Sequence, residues 1–146
     1  NNMEELLRDY NKSGTLVMTI QQFIDFDDYV RCICIGKEFI LPIKYDPRRR
    51  AYVEADGFLS KDLEKKILDG AWALNHALGY DMNTCEFAVR DGVPYAIDFM
   101  NSAPDFDISS LGDEAFRWTV SRMASLVVRL ANSTATQIVM VPSTAK

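Results

Sequence analysis

The sequence predicts an α+β fold, a mostly antiparallel sheet with helices packed on it. Three observations carry that expectation. The apolar pattern runs helix, three strands, helix, two strands, helix. The strand-like runs sit in neighbouring pairs around Gly36-Lys37 and Asp91-Gly92, the short turns that join antiparallel hairpins. Two long segments, residues 60–78 and 113–131, carry broad apolar stripes at helical spacing that need a surface to cover. At 146 residues and 48% apolar, the chain is one domain-sized unit, able to bury roughly two-thirds of its unfolded surface.

In chain order, residues 3–10 form a short helix, stopped by Asn11-Lys12-Ser13-Gly14. Residues 16–24 are nearly continuous in apolar and β-prone side chains, which predicts a strand buried on both faces. An acidic loop, residues 25–28, leads into a second strand over 29–35. Gly36-Lys37 reads as a two-residue type II′ turn, and residues 38–43 return as a third strand. That register sets Ile35 opposite Glu38 and Arg31 opposite Pro42, so Arg31 and Lys44 emerge on one face. Two cations there make either a phosphate clamp or a pair of surface charges whose stems cover apolar neighbours. Residues 46–57 read as a loop, with the triple arginine 48–50 either a solvated turn or a contact for phosphate or an acidic substrate.

Ser60 caps the helix that runs to Leu78, with Asp62 in its first turn and Gly79 past its end. Its apolar face is Leu63, Ile67, Ala71 and Leu74, joined by Leu68, Trp72 and Leu78. Trp72 reads as core, and His76, the only histidine, as structural. A hairpin over 84–101 follows, then a loop over 102–111 with Asp105 and Asp107. The last helix, 113–131, buries Phe116, Val120, Met123, Val127 and Leu130 and holds Arg117, Arg122 and Arg129 outside. Asn132 stops it. Residues 1–132 are thus the domain. Residues 133–146 are a tail whose β-prone run, 137–141, either adds a strand, in a homodimer or on another partner, or stays poorly ordered. No internal repeat or low-complexity segment appears.

Composition excludes some classes. The net charge of −5 and a pI near 4.8 argue against nucleic acid as the main partner. No run of 18 apolar residues exists, so no membrane span is expected. The polar, acidic start Asn1-Asn2-Met3-Glu4-Glu5 predicts no signal peptide. Cys32, Cys34 and Cys85 make an odd count, and Cys32 and Cys34 share a strand face, as small core residues do. A reducing, cytoplasmic setting is expected.

The chemistry concentrates in residues 84–101. Glu86 lies six residues before Gly92 and Asp98 six after it. A two-residue loop at Asp91-Gly92 pairs Glu86 with Ile97 and sends Asp98 to the opposite face. A three-residue loop with Gly92 left-handed pairs Glu86 with Ala96, and Glu86 and Asp98 then share a face. Two carboxylates that close repel unless a cation lies between them, and hard oxygen ligands favour Mg²⁺ or Mn²⁺. The alternative is an ordinary half-solvated hairpin with its acids in water.

Glu86-Phe87, Gly92 and Asp98 resemble the metal-binding hairpin of the ATP-grasp superfamily. That likeness implies metal ligation by Glu86, Asp98 and Asn101. Asn101 comes three residues after Asp98 rather than the family's two, so a bulge is expected to return it to the site; Pro104 stands where the family keeps a proline. Gln21-Gln22-Phe23-Ile24 is similar to the family's hinge strand. The resemblance places Gln21, Gln22 and Ile24 against adenine. Asp28-Tyr29-Val30-Arg31 followed by Ile35-Gly36 is similar to the family's run ending in Arg and a Val/Ile-Gly turn, which implies that Arg31 contacts the nucleotide phosphates or an acyl-phosphate. It implies that Asp28 binds the nucleotide, and that Arg31 and Lys44 act on its phosphates.

The likeness covers residues 3–131. It implies the C-terminal half of an ATP-grasp domain, with ATP and Mg²⁺ (or Mn²⁺) as cofactors and a small carboxylate and an amine as substrates. An N-terminal substrate domain and a small lid are then expected in cis, and this fragment alone is expected to be inactive. The competing expectation is a non-catalytic module, for interaction or for nucleotide sensing.

Overall fold

The computed structural model describes residues 3–12, 14, 20–53 and 55–139. Helix α1 is Met3–Lys12. Strands β1 (Asp28–Ile35), β2 (Phe39–Asp46) and β3 (Ala51–Val53) follow, then α2 (Lys61–Leu78), β4 (Met82–Arg90), β5 (Val93–Asn101), the one-turn α3 (Ile108–Leu111) and α4 (Asp113–Val139). The strands form one sheet in the order β3-β2-β1-β4-β5, antiparallel throughout.

Side-chain alternation divides the molecule into two layers of core. Val30, Cys32 and Cys34 of β1 and Cys85, Phe87 and Val89 of β4 point to one face, where α2 seals them with Ile67 and Ala71. Ile33 and Ile35 point to the other, under Leu111 of α3 and Leu126 of α4. Helix α2 starts as its sequence demands: Ser60 Oγ accepts the Leu63 N–H at 3.3 Å, and Gly79 ends it with φ 78°.

Several expectations are corrected. The β1–β2 loop holds three residues, 36–38, because Ile35 pairs with Phe39. Arg31 therefore faces Ile43, not Pro42, and Lys44 faces Val30. A one-residue register change reverses every side chain, so Arg31 and Lys44 lie on opposite faces. Residues 20–26 are not a strand; β1 is already paired on both sides, by β2 and β4, and offers them no ladder. The rest of that predicted strand lies largely outside the described residues. The predicted loop 46–57 contains β3, closed by a turn in which Asp46 Oδ1 accepts the N–H groups of Arg48 and Arg49 at 2.9 and 3.1 Å.

Helix α4 runs past Asn132 to Val139, so residues 137–139 are helical rather than strand. Asparagine is only a mild helix breaker, and no glycine or proline stands between 113 and 139. The last residues of the predicted tail, 140–146, lie outside the described residues. The buried stripe of α4 is Phe116, Thr119, Met123 and Leu126, while Val120, Val127 and Leu130 are exposed. From Arg129, which pairs with Glu38 of the β1–β2 turn, the helix lies at the edge of the sheet, and Val127 and Val128 are left exposed. Arg122 turns inward, its guanidinium 4.5 Å from the Phe39 ring centroid. Trp72 is exposed and stacks on His76 at 3.8 Å. Among the described residues no helix is long and apolar enough to cross a membrane.

Candidate functional site

The turn of the β4–β5 hairpin is the two-residue one: Arg90 pairs with Val93, and Asp91 and Gly92 both have positive φ, 51° and 71°. That fits a type I′ turn. The acids nevertheless meet, because the ladder shifts twice. Phe87 pairs with Ala96, but Glu86 pairs with Asp98, so Ile97 is an extra residue on β5. Thr84 then pairs with Asn101, which adds a second extra residue. These bulges re-aim β5. Glu86, Asp98, Thr84 and Asn101 consequently share one face, and the shift expected at Asn101 is present.

Glu86 is the buried centre of this face, 9% exposed, while Asp98 is exposed. The Tyr29 hydroxyl donates to Glu86 Oε2 at 2.5 Å. Arg31 Nη2 donates to Glu86 Oε1 in a half-buried ion pair. Strand pairing dictates this, since Arg31 lies directly opposite Glu86 and Tyr29 opposite Ala88. The Arg31 guanidinium stacks 3.9 Å above the Tyr45 ring, and its Nη1 reaches the Tyr52 hydroxyl at 3.5 Å. Burial raises the Tyr29 phenol well above its ordinary value, and the hydrogen bond to Glu86 raises it further. Burial pulls the Arg31 guanidinium down, but its contacts with Tyr52 and Glu86 outweigh that, so it holds its proton more tightly than usual. Two polar atoms on this face, Arg31 Nε and Thr84 Oγ1, are buried without a hydrogen-bond partner.

The loop after β5 borders the site. Asp107 caps α3 by accepting the Ser109 N–H at 2.8 Å. Asp105 accepts from Ser110 Oγ at 2.6 Å and from the Asp107 N–H at 3.0 Å. These bonds, in that order, hold Asp105 below the usual carboxylate range, and the Arg31 charge adds to them.

The other predicted residues are distributed differently. Asp28 and Lys44 pair with each other at 2.7 Å on the α2 side, with the Lys44 ammonium 5.7 Å from the Phe58 ring centroid. The sheet separates them from Arg31. Gln21 and Gln22 are exposed, and Ile24 packs with Phe26 beside Tyr29. Sequence reasoning missed Tyr29, Tyr45 and Tyr52. A signal for Tyr29 existed, since it stands two residues before Arg31 and so on the same strand face. Tyr45 and Tyr52 come from β2 and β3, and only the three-residue loop aligns them.

A divalent metal fits this chemistry in part. Among the described residues no group of three or more His, Cys, Asp or Glu side chains is placed to hold an ion. The donors are two carboxylates and an amide, with the orphaned Thr84 hydroxyl alongside. Such a set suits Mg²⁺, which takes one or two carboxylates and completes its shell with water and substrate phosphate. A carboxylate offers about four lone-pair directions, so Glu86 keeps acceptor capacity beyond Tyr29 and Arg31.

No protein-family profile matches the sequence, and no curated protein matches it. Solved structures do. The chain superposes on the D-alanine–D-alanine ligase of Bacillus anthracis complexed with ATP at a TM-score of 0.72 and 15% identity, covering 93% of this chain and 48% of that one. Another structure of that ligase gives a TM-score of 0.68 at 15% identity, covering 93% and 49%. The chain spans about half the length of the ligase chains it matches. At this identity the likeness is one of architecture: the chain has the α+β fold of about half of that ligase.

Proposed function

We propose that the chain is the nucleotide- and metal-binding part of an ATP-dependent carboxylate–amine ligase that works through an acyl-phosphate. The observation that carries this reading is the Glu86–Asp98 pair, set opposite one another by a bulged hairpin, with Arg31 on Glu86. The shared fold with a ligase solved in complex with ATP supports it. Glu86, Asp98 and Asn101 would hold Mg²⁺ (or Mn²⁺), whose contribution when bound is to neutralise charge at phosphate oxygens.

The chain's own residues supply the rest. Arg31 is pre-aimed by Tyr45 and Tyr52, so its fork of donors can reach a phosphate oxygen without first being ordered. The γ-phosphoryl group passes to a substrate carboxylate, giving ADP and an acyl-phosphate, and an amine then displaces phosphate to form the amide. Gln21, Gln22 and Ile24, which lead into β1, would meet adenine. Lys44 lies across the sheet from Arg31, so Arg31 takes the phosphate role and Lys44 with Asp28 braces the entry to β1.

Calorimetric titration of Mg²⁺-ATP into the chain, beside Glu86→Gln, tests the site. Losing a partner behind a metal ligand costs roughly 10–100-fold in affinity, and losing a ligand should cost at least that. Saturable binding in the parent and its loss in Glu86→Gln is the expected result; equal binding in both would remove Glu86 from the site. A second reading, an interaction module, is favoured by one observation. Met3, Leu7 and Tyr10 of α1 and Val120, Val127 and Val128 of α4 are exposed apolar side chains. A concentration-dependent mass in light scattering, with no nucleotide binding, would favour that reading instead.

A further inference from the structure

The bulge that brings Asn101 onto the site face needs a cause, because an extra residue on β5 leaves ladder groups unpaired. The structure assigns that role to Asn83, and we propose that Asn83 is the positioning residue of the metal-binding face. This rests on the reading of Glu86, Asp98 and Asn101 as ligands.

Asn83 is fully buried, 0% exposed, on the α2 side of β4. Its Nδ2 donates to the Phe99 carbonyl at 2.9 Å, and its Oδ1 accepts the Asn101 N–H at 2.9 Å. One planar amide thus supplies both the donor and the acceptor that the displaced backbone requires. It brackets residues 99–101, the segment in which β5 carries one residue more than β4. Asp98 stands at one end of that segment and Asn101 at the other. A hydrophobic side chain at 83 would leave the Phe99 carbonyl and the Asn101 N–H unsatisfied in the core, which favours slipping β5 by one residue. The period of two would then turn Asn101 away from Glu86. Asn83 itself points to the opposite side of the sheet, so it acts only through β5.

Two measurements test this, each on Asn83→Leu with Asn75→Leu as control. Asn75 is also a buried amide on the α2 side, donating to the Ala71 carbonyl at 2.8 Å and to Cys85 Sγ at 3.5 Å, but these bonds go to α2 and β4 and none holds the Phe99 carbonyl or the Asn101 N–H. The first is hydrogen exchange of the Asn101 amide. Protection is expected in the parent and in Asn75→Leu and is expected to be lost in Asn83→Leu; retained protection there overturns the clamp. The second is the Mg²⁺ requirement of ATP binding. Asn83→Leu should weaken apparent Mg²⁺ affinity by roughly tenfold or more, leaving binding of ATP without metal unchanged, and Asn75→Leu should change neither. Unaltered Mg²⁺ affinity in Asn83→Leu, beside a parent that binds, overturns the positioning role alone. A parent that binds no Mg²⁺-ATP overturns the ligase reading and takes the role at this site with it. If Asn83→Leu does not fold, Asn83→Ala, which removes both amide partners without overpacking, is put through both measurements with the same expected losses and the same overturning results.

Discussion

Glu86 gathers three elements onto one carboxylate, because Tyr29 and Arg31 of β1 both reach it and Asp98 of β5 stands opposite. Tyr29 reports on this arrangement. Burial, then the hydrogen bond to Glu86, raises its phenol above the unfolded value. The folded state therefore binds that proton more tightly, and the stability so gained is fully present below pH ~10 and is lost as pH rises through the folded value. Alkaline titration followed by phenolate absorbance should show Tyr29 ionising late. In Glu86→Gln it should move down yet remain above ~10, since burial is the larger cause; an unmoved Tyr29 would break the assigned bond. Much of this residue chemistry was legible. Glu86 and Asp98 could be picked out by type and spacing, and Arg31 by the resemblance of its run, since the register that set it beside Lys44 did not hold. The tyrosines that hold Arg31 could not, because a strand register that closes them on Arg31 is a property of three strands together.

At the scale of elements, turns decided what the sequence left open. Apolar alternation located β1, β2, β4 and β5, but not their offsets. The β4–β5 turn is the short one, and the bulges supplied the offset that a three-residue loop was expected to supply. Whether a ladder carries a bulge depends on a partner such as Asn83, one strand away from the residue it shifts, and no local pattern marks that. The β1–β2 turn is set by a glycine with two constraints. Gly36 has φ 65°, and a Cβ there would meet Arg129 Nη2 at 3.0 Å and Leu126 Cδ1 at 3.1 Å. Gly36→Ala should destabilise the fold by roughly 1–2 kcal/mol from the backbone conformation alone, and by more from the contact with buried Leu126. In a Leu126→Ala background the Leu126 part of the contact should vanish and the backbone part remain, with the flexible end of Arg129 swinging aside at little cost. Chemical denaturation of the four proteins measures this; full additivity would mean that Leu126 does not press on the turn.

Across the whole molecule the sheet separates two cores that share only its strands. Ile67 on α2 is 0% exposed and packs with Val30, Cys32 and Cys85, whereas Leu126 on α4, 4% exposed, packs with Ile33 and Ile35. The site face lies beside the second core, where Tyr29 and Glu86 are buried, Arg31 is partly buried and Asp98 is exposed. A site built in this way is held from behind by α2 and from the side by α4, so loss of either core should lower stability without erasing the arrangement of the strands. Ile67→Ala and Leu126→Ala should each cost about 2–5 kcal/mol. Because the two side chains share no neighbour, the double variant should show the sum within about 0.5 kcal/mol. Equilibrium denaturation with a single transition in all four proteins checks both points. A coupling well beyond that, or a first transition confined to one helix, would mean that the faces are not independent supports of one cooperative sheet, and that a change packed against α2 can be felt at Arg31 and Glu86.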